Sequence, residues 1–208
     1  MPLVAELLIL IPILLLSLSI HEFAHGKMAD ILGDPTPKMT GRLTLNPMAH
    51  LSLLGTLVLL TTRRFGWAKP VQINPRYFKD KRKGMMLVSI AGPLSNILMA
   101  FLLAILFRFT GDYLIQFLNP NIVVTFFMVG VSLNVGLALF NLLPVPPLDG
   151  SKILMGILPP SMDNIIYNLE AYGPFILMLL VFTGGLGRVL GVPLIVIRNL
   201  IFSIVGII

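Results

Sequence analysis

The feature that most constrains this chain is the run PLVAELLILIPILLLSLSIHEFAHGKMAD (2–30). It begins as an apolar segment long enough to cross a bilayer, which takes about 20 residues. It then carries His21, Glu22 and His25. In hydrocarbon every backbone polar group must be satisfied within the segment, so such a run folds as a helix. Ionisable side chains at that depth are expensive and mark function by default. The run therefore fixes a membrane helix and, at the same time, asks what chemistry three ionisable residues serve in it.

The rest of the chain has the same character. It is 56% hydrophobic and 12% charged, against roughly 45–50% and about 25% in soluble domains. Further apolar runs occupy 85–109 and 122–143, a shorter one 168–182, and a last one 189–208, which carries Arg198 and either spans or lies at the interface. The expectation is an all-α polytopic membrane protein with four to five transmembrane helices, forming one membrane-embedded domain over 1–208. No polar stretch is long enough to bury a soluble core of its own. The first run has no basic leader and no small-residue cleavage site, so it is expected to remain as a span.

Between the first two spans lies a polar region, 30–84. KMTGRLTLNP (38–47) alternates around Gly41 and reads as a β-hairpin or edge strand. KPVQINP (69–75) reads as a second short strand, confined to an edge by Pro70 and Pro75. LSLLGTLVLL (51–60) is too short to span and suits a re-entrant or interfacial piece.

The net charge of +6 is concentrated here. Residues 30–83 hold Lys38, Arg42, Arg63, Arg64, Lys69, Arg76, Lys79, Lys81, Arg82 and Lys83 against Asp30, Asp34 and Asp80. A basic loop between apolar spans marks the cytoplasmic side of a membrane, and no nucleic-acid partner is implied. With that loop inside, the first span ends at the cytoplasmic face and the third returns to it. The two ends face the same side.

HEFAH (21–25) is an H-E-x-x-H pattern. On a helix, residues i and i+4 share a face, so two imidazoles can converge on one zinc ion with the intervening Glu22 acting on its water. Cysteine is absent, so His, Asp or Glu must complete the site. Catalytic zinc usually takes three protein ligands and leaves a position for water. Glu6 lies about 22 Å away along the helix and is excluded. His50, Asp149 and, with no motif behind it, Glu170 remain. Asp149 stands in NLLPVPPLDG (141–150), where the prolines break the third span. Irregular backbone at membrane depth is tolerated only against protein or a water-filled cavity.

HEFAH near the end of one span and NLLPVPPLDG near the end of a later one resemble the site-2 protease family of intramembrane zinc metalloproteases. AGPLSN (91–96) and GWAKPVQINP (66–75) are similar to family segments too, and the likeness runs in order over about 15–155. The resemblance implies that His21, His25 and Asp149 ligate zinc and that Glu22 is general base and then proton donor. It makes Asn141 a candidate to orient substrate or stabilise the oxyanion, and Asn96 a weaker candidate for substrate contact beside the alternative of an interhelical hydrogen bond. Compact members often read His-x-Asp before Gly-Thr; here His50-Leu51-Ser52 precedes Gly55-Thr56 without the Asp. His50 is then expected beside the site or at a substrate gate, with third-ligand status the lesser reading. The implied activity is hydrolysis of peptide bonds in or near transmembrane segments of other proteins, at a site toward the cytoplasmic side of the cell membrane. A metal transporter or metal-sensing membrane protein is the alternative, although it gives Glu22 no task between the histidines.

Overall fold

A computed structural model of the chain describes residues 3–52 and 69–208. Its order is α1 (Leu3–Ile31), two single-turn helices α2 (Thr36–Met39) and α3 (Pro47–His50), a 3-10 turn at Pro75–Tyr77, α4 (Lys81–Phe117), α5 (Pro120–Asn141), α6 (Asp149–Ile157), a 3-10 turn at Pro160–Met162, α7 (Asp163–Phe182) and α8 (Gly185–Val205). Four helices are long and apolar enough to cross a membrane: α1 from Leu7, α4, α5 and α8. The apolar part of α7, Leu169–Phe182, is shorter. The last run therefore joins the helices of spanning length, as Gly185–Val205 rather than 189–208.

Helix α4 is longer than the apolar pattern 85–109 implied. Its start lies inside the basic cluster because Asp80 caps it, accepting from the backbone N–H groups of Arg82 (3.0 Å) and Lys83 (3.1 Å). Its 37 residues are about 55 Å of helix, more than the roughly 30 Å hydrocarbon core. Charged residues flank its apolar stretch on both sides, Lys81, Arg82 and Lys83 at the start and the exposed Arg108 and Asp112 toward the far end.

No strand forms over 38–47. Residues 36–39 wind into α2, Gly41 turns with φ +66°, and Asn46 caps α3 by accepting from Met48 N–H at 3.0 Å. Pro37 and Pro47 favour these first helical turns, and that local preference overrides the alternation. Residues 69–74 are without regular secondary structure, yet Lys69 N–H donates to His50 C=O at 2.7 Å, laying this segment beside α3. Most of the proposed re-entrant piece, 51–60, lies outside the described residues.

Packing centres on α4, which touches α1, α5, α6 and α8. Every fourth residue of α1 is buried: Ile9, Ile13, Ser17, His21, His25 and Ala29. Every fourth residue of α4 answers it: Val88, Gly92, Asn96, Ala100 and Ala104. Such i±4 ridges are a common way for helices to interlock, and small residues let membrane helices approach closely. Ala100 and Ala104 also meet Val131 and Val135 of α5 and Ile201 and Phe202 of α8 in the main core cluster. The outward faces stay apolar, with Leu8, Leu98, Phe109 and Val192 among the exposed residues. An apolar surface of that extent is a lipid-facing one.

Candidate metal centre

The antiparallel register of α1 against α4 builds one wall of the site. His25 reaches the Val88 carbonyl and His21 the Asn96 side chain, and Gly92 lies against both imidazoles. A Cβ on Gly92 would overlap Nε2 of His25 and Cε1 of both imidazoles, so no larger residue fits there.

The ring nitrogens away from the centre have fixed partners. His21 Nδ1 lies 2.6 Å from Asn96 Oδ1, and His25 Nδ1 lies 2.7 Å from the Val88 carbonyl. The orientation of Asn96 is itself determined, because its Nδ2 donates to Asn134 Oδ1 (3.0 Å) and to the Ser17 carbonyl (3.3 Å). Asn134 is set in turn by donating to the Gly130 carbonyl at 2.9 Å. Both imidazoles therefore carry their proton on Nδ1, and both Nε2 atoms present lone pairs. These lone pairs face each other across 3.0 Å.

Asp149 supplies the third donor. After α5 ends at Asn141, LLPVPPL folds back so that Asp149 becomes the first residue of α6. A carboxylate is favoured there by the helix dipole. The turn is tight: a Cβ on Gly150 would overlap the carbonyl oxygens of Leu142 and Leu143. Asp149 Oδ2 comes to 3.3 Å from His21 Nε2 and 3.1 Å from His25 Nε2. All three residues are buried, and theirs is the one metal-capable cluster among the described residues.

Two lone pairs and a carboxylate oxygen crowded to 3.0–3.3 Å repel unless a positive charge lies among them. Zinc bonds of about 2.0–2.1 Å at tetrahedral angles separate the ligand atoms by about 3.3 Å. The donor set and its spacing fit zinc, and the hydrogen bonds at Nδ1 are the outer partners that metal-bound histidines ordinarily have.

Glu22 is half-buried and turned about 100° from His21 around the helix. Its Oε2 accepts from Val71 N–H at 2.9 Å. His50 is buried but outside the metal cluster; its Nε2 lies 2.8 Å from the Thr44 carbonyl and its Nδ1 has no partner among the described residues. It stands on α3, tied to Thr44. Glu170 is likewise outside the cluster. Asn96, with no exposed surface, stands behind His21 and makes the interhelical hydrogen bonds. Asn141 donates through Nδ2 to Leu137 C=O of its own helix at 3.0 Å.

Sequence reasoning gave no role to Ser17, Val88, Gly92 or Asn134. The first three could have been found from the four-residue spacing of the ridges. Asn134 shows in sequence only as one of a few polar residues, with Thr125 and Ser132, inside an apolar span.

The model of peptidase family M50 matches residues 9–181. Over 177 residues the chain is 42% identical to the Bacillus subtilis protein that bears the name zinc metalloprotease YwhC, covering 84% of this chain and 80% of that protein. Proteins bearing the name zinc metalloprotease Rip2 are similar as well. That of Mycolicibacterium smegmatis is 31% identical over 183 residues, and that of Mycobacterium tuberculosis H37Rv 30% over 171. These alignments take in 84% and 80% of this chain but only 66% and 63% of the mycobacterial proteins. No solved structure matches.

Proposed function

This chain belongs to peptidase family M50, the site-2 protease family of zinc metalloproteases, and from that premise we propose that it cleaves peptide bonds within or beside the transmembrane segments of other membrane proteins. The observation that carries this reading is the depth of the site. His25 and His21 lie 6 and 10 residues before the end of a spanning helix at Ile31, about 9 and 15 Å in from that end. A protease whose metal ligands sit there acts on chain that is itself in the membrane.

His21, His25 and Asp149 are the zinc ligands in this reading. Zinc bound there supplies a Lewis acid that polarises the scissile carbonyl and acidifies a water. The chain's own groups do the rest. Glu22 takes the proton of the attacking water and hands it to the nitrogen of the leaving amine. Asn96, backed by Asn134, keeps His21 turned toward the metal. Asn141, at the end of α5 beside the loop that delivers Asp149, is the candidate to contact the scissile carbonyl. His50 holds the segment beside the site through its own backbone carbonyl. Because the basic residues cluster at the same end of α1 and α4, the site opens toward the cytoplasmic face, and water reaches it from that side.

The test is to reconstitute the protein with a single-span reporter and compare wild type with Glu22→Gln. Retained zinc with cleavage abolished supports the reading. Cleavage equal to wild type overturns the role of Glu22, and metal flux across the bilayer without cleavage overturns the protease assignment in favour of transport.

A further inference from the structure

Helix α1 ends in a Schellman motif. Gly33 takes φ +99°, its N–H donates to Asp30 C=O at 3.1 Å, and Asp34 N–H donates to Ala29 C=O at 2.9 Å. The motif delivers Asp34 to a site with no solvent exposure. No cation lies within ion-pair distance of it among the described residues. A buried carboxylate is costly unless its oxygens are hydrogen-bonded. Both are: Oδ1 accepts from Thr36 N–H at 2.9 Å and Oδ2 from Asn74 N–H at 2.7 Å.

The first bond is a local Asx turn that many residues could make. The second reaches 40 positions along the chain to the segment 69–74, and that segment also touches Glu22. Lys69 N–H is held by His50 C=O, Val71 N–H by Glu22 Oε2 and Asn74 N–H by Asp34. Val71 is buried, and a Cβ on Gly26, one turn beyond Glu22, would lie 3.4 Å from its Cγ1. The segment is thus a strap along one side of α1, tied above at Glu22 and below at Asp34.

We propose that Asp34 is a positioning residue for catalysis: by holding Asn74 N–H it sets the height of the strap on α1, and so places Val71 N–H on one oxygen of Glu22. The carboxylate is then fixed in one orientation, with its other oxygen left for the proton in transit. The proposal rests on the reading of Glu22 as general base. Misplacement of a reacting group by about 1 Å can lower a rate about 100-fold, so loosening the strap acts on kcat, with substrate affinity and zinc binding little changed.

The selective variant is Asp34→Ser. A serine hydroxyl can keep the local bond to Thr36 N–H but is too short to reach Asn74. The zinc-loaded full chain in lipid nanodiscs is assayed with a single-span reporter for kcat and KM. Zinc per chain and hydrogen exchange over 69–78 are measured on the same samples. The expected result is a kcat lower by about 10- to 100-fold, KM within about twofold, one zinc per chain and faster exchange over 69–78. Asp30→Asn, at the same helix end but on an exposed pair with Lys27, behaves as wild type. Val71→Pro removes the N–H given to Glu22 while leaving Asp34, so it lowers kcat as well, and the double variant falls no further than Val71→Pro alone. An Asp34→Ser protein with unchanged kcat overturns the proposal. So does one with raised kcat, which marks the strap as an inhibitory cover, or one that has lost zinc, which marks a folding role. Should Asp34→Ser not fold, Val71→Pro decides by the same readouts. Glu22→Gln run in parallel separates the two claims. Full cleavage there sinks the base assignment, whereas inactive Glu22→Gln beside fully active Asp34→Ser sinks this proposal alone.

Discussion

Replacing Asn96 by alanine tests how the metal centre is held. The substitution leaves His21, His25 and Asp149 in place and removes the acceptor that fixes His21 Nδ1–H, in a place with no solvent exposure. A buried donor left without a partner costs about 1–3 kcal/mol. Losing the outer partner of a metal-bound histidine typically weakens metal affinity by about 10- to 100-fold, and at about 1.4 kcal/mol per decade that is about 1.4–2.8 kcal/mol. The two routes agree, because zinc binding itself requires the tautomer that Asn96 selects. The assay is competition for zinc against a chelator of known affinity, on detergent-purified protein. Asn96→Ala is expected to raise the zinc dissociation constant about 10- to 100-fold, with activity restored when zinc is added in excess, since the donor atoms remain. Asn134→Ala, one step further back, is expected to shift it less. A dissociation constant for Asn96→Ala within twofold of wild type would refute the reasoning, as would a loss of activity that excess zinc does not restore.

Other substitutions read other parts of the account. Gly92→Ala places a methyl group where His25 Nε2 and the imidazole carbons lie; zinc is expected to fall well below one per chain while the helical circular dichroism stays unchanged. Asp149→Asn removes the carboxylate charge at the start of α6, and the expected result is loss of both zinc and cleavage, with excess zinc restoring neither in full. Asn141→Ala is expected to keep zinc and lower kcat by about 10- to 1000-fold if its amide serves the developing oxyanion; unchanged kcat removes Asn141 from the mechanism. Arg82 donates to the carbonyls of Met155 and Leu158 at the end of α6, and hydrogen bonds from a charged group are worth about 1.5–3 kcal/mol. Arg82→Gln is thus expected to lower the unfolding temperature measured by differential scanning fluorimetry, with zinc still bound.

The helices and the histidine pair at the heart of the buried cluster were legible in the sequence for physical reasons. Apolar length reports a span because hydrocarbon leaves the backbone no other option, and the i, i+4 histidines report a shared face because the helical period is fixed. The basic loop put Asp149 on the same side as the histidines, but His50 and Glu170 stayed open beside it until NLLPVPPLDG was set against the family it resembles. Three things were not legible. The stretch 38–47 alternates like a strand, but Pro37, Asn46 and Pro47 supply helix starts that outweigh a short alternation. The beginning of α4 hides in a run of lysine and arginine, because Asp80 caps a helix whose first turns lie outside the apolar pattern. Asp34 and Asn74 meet only through tertiary folding, since a hydrogen bond between a carboxylate and a distant backbone N–H leaves no periodicity to read. Asn96 lies between these cases. Its place in AGPLSN made it a candidate for substrate contact or an interhelical hydrogen bond, while its hydrogen bond to His21 depended on the register between two helices.

The most direct measurement is zinc content and reporter cleavage followed together while metal is stripped by a chelator and then returned. The account predicts that cleavage disappears with zinc and returns in proportion to it, saturating at one zinc per chain, and that His21→Ala shows neither. Cleavage that persists in fully stripped protein, or full activity in a His21→Ala variant that binds no zinc, would contradict it.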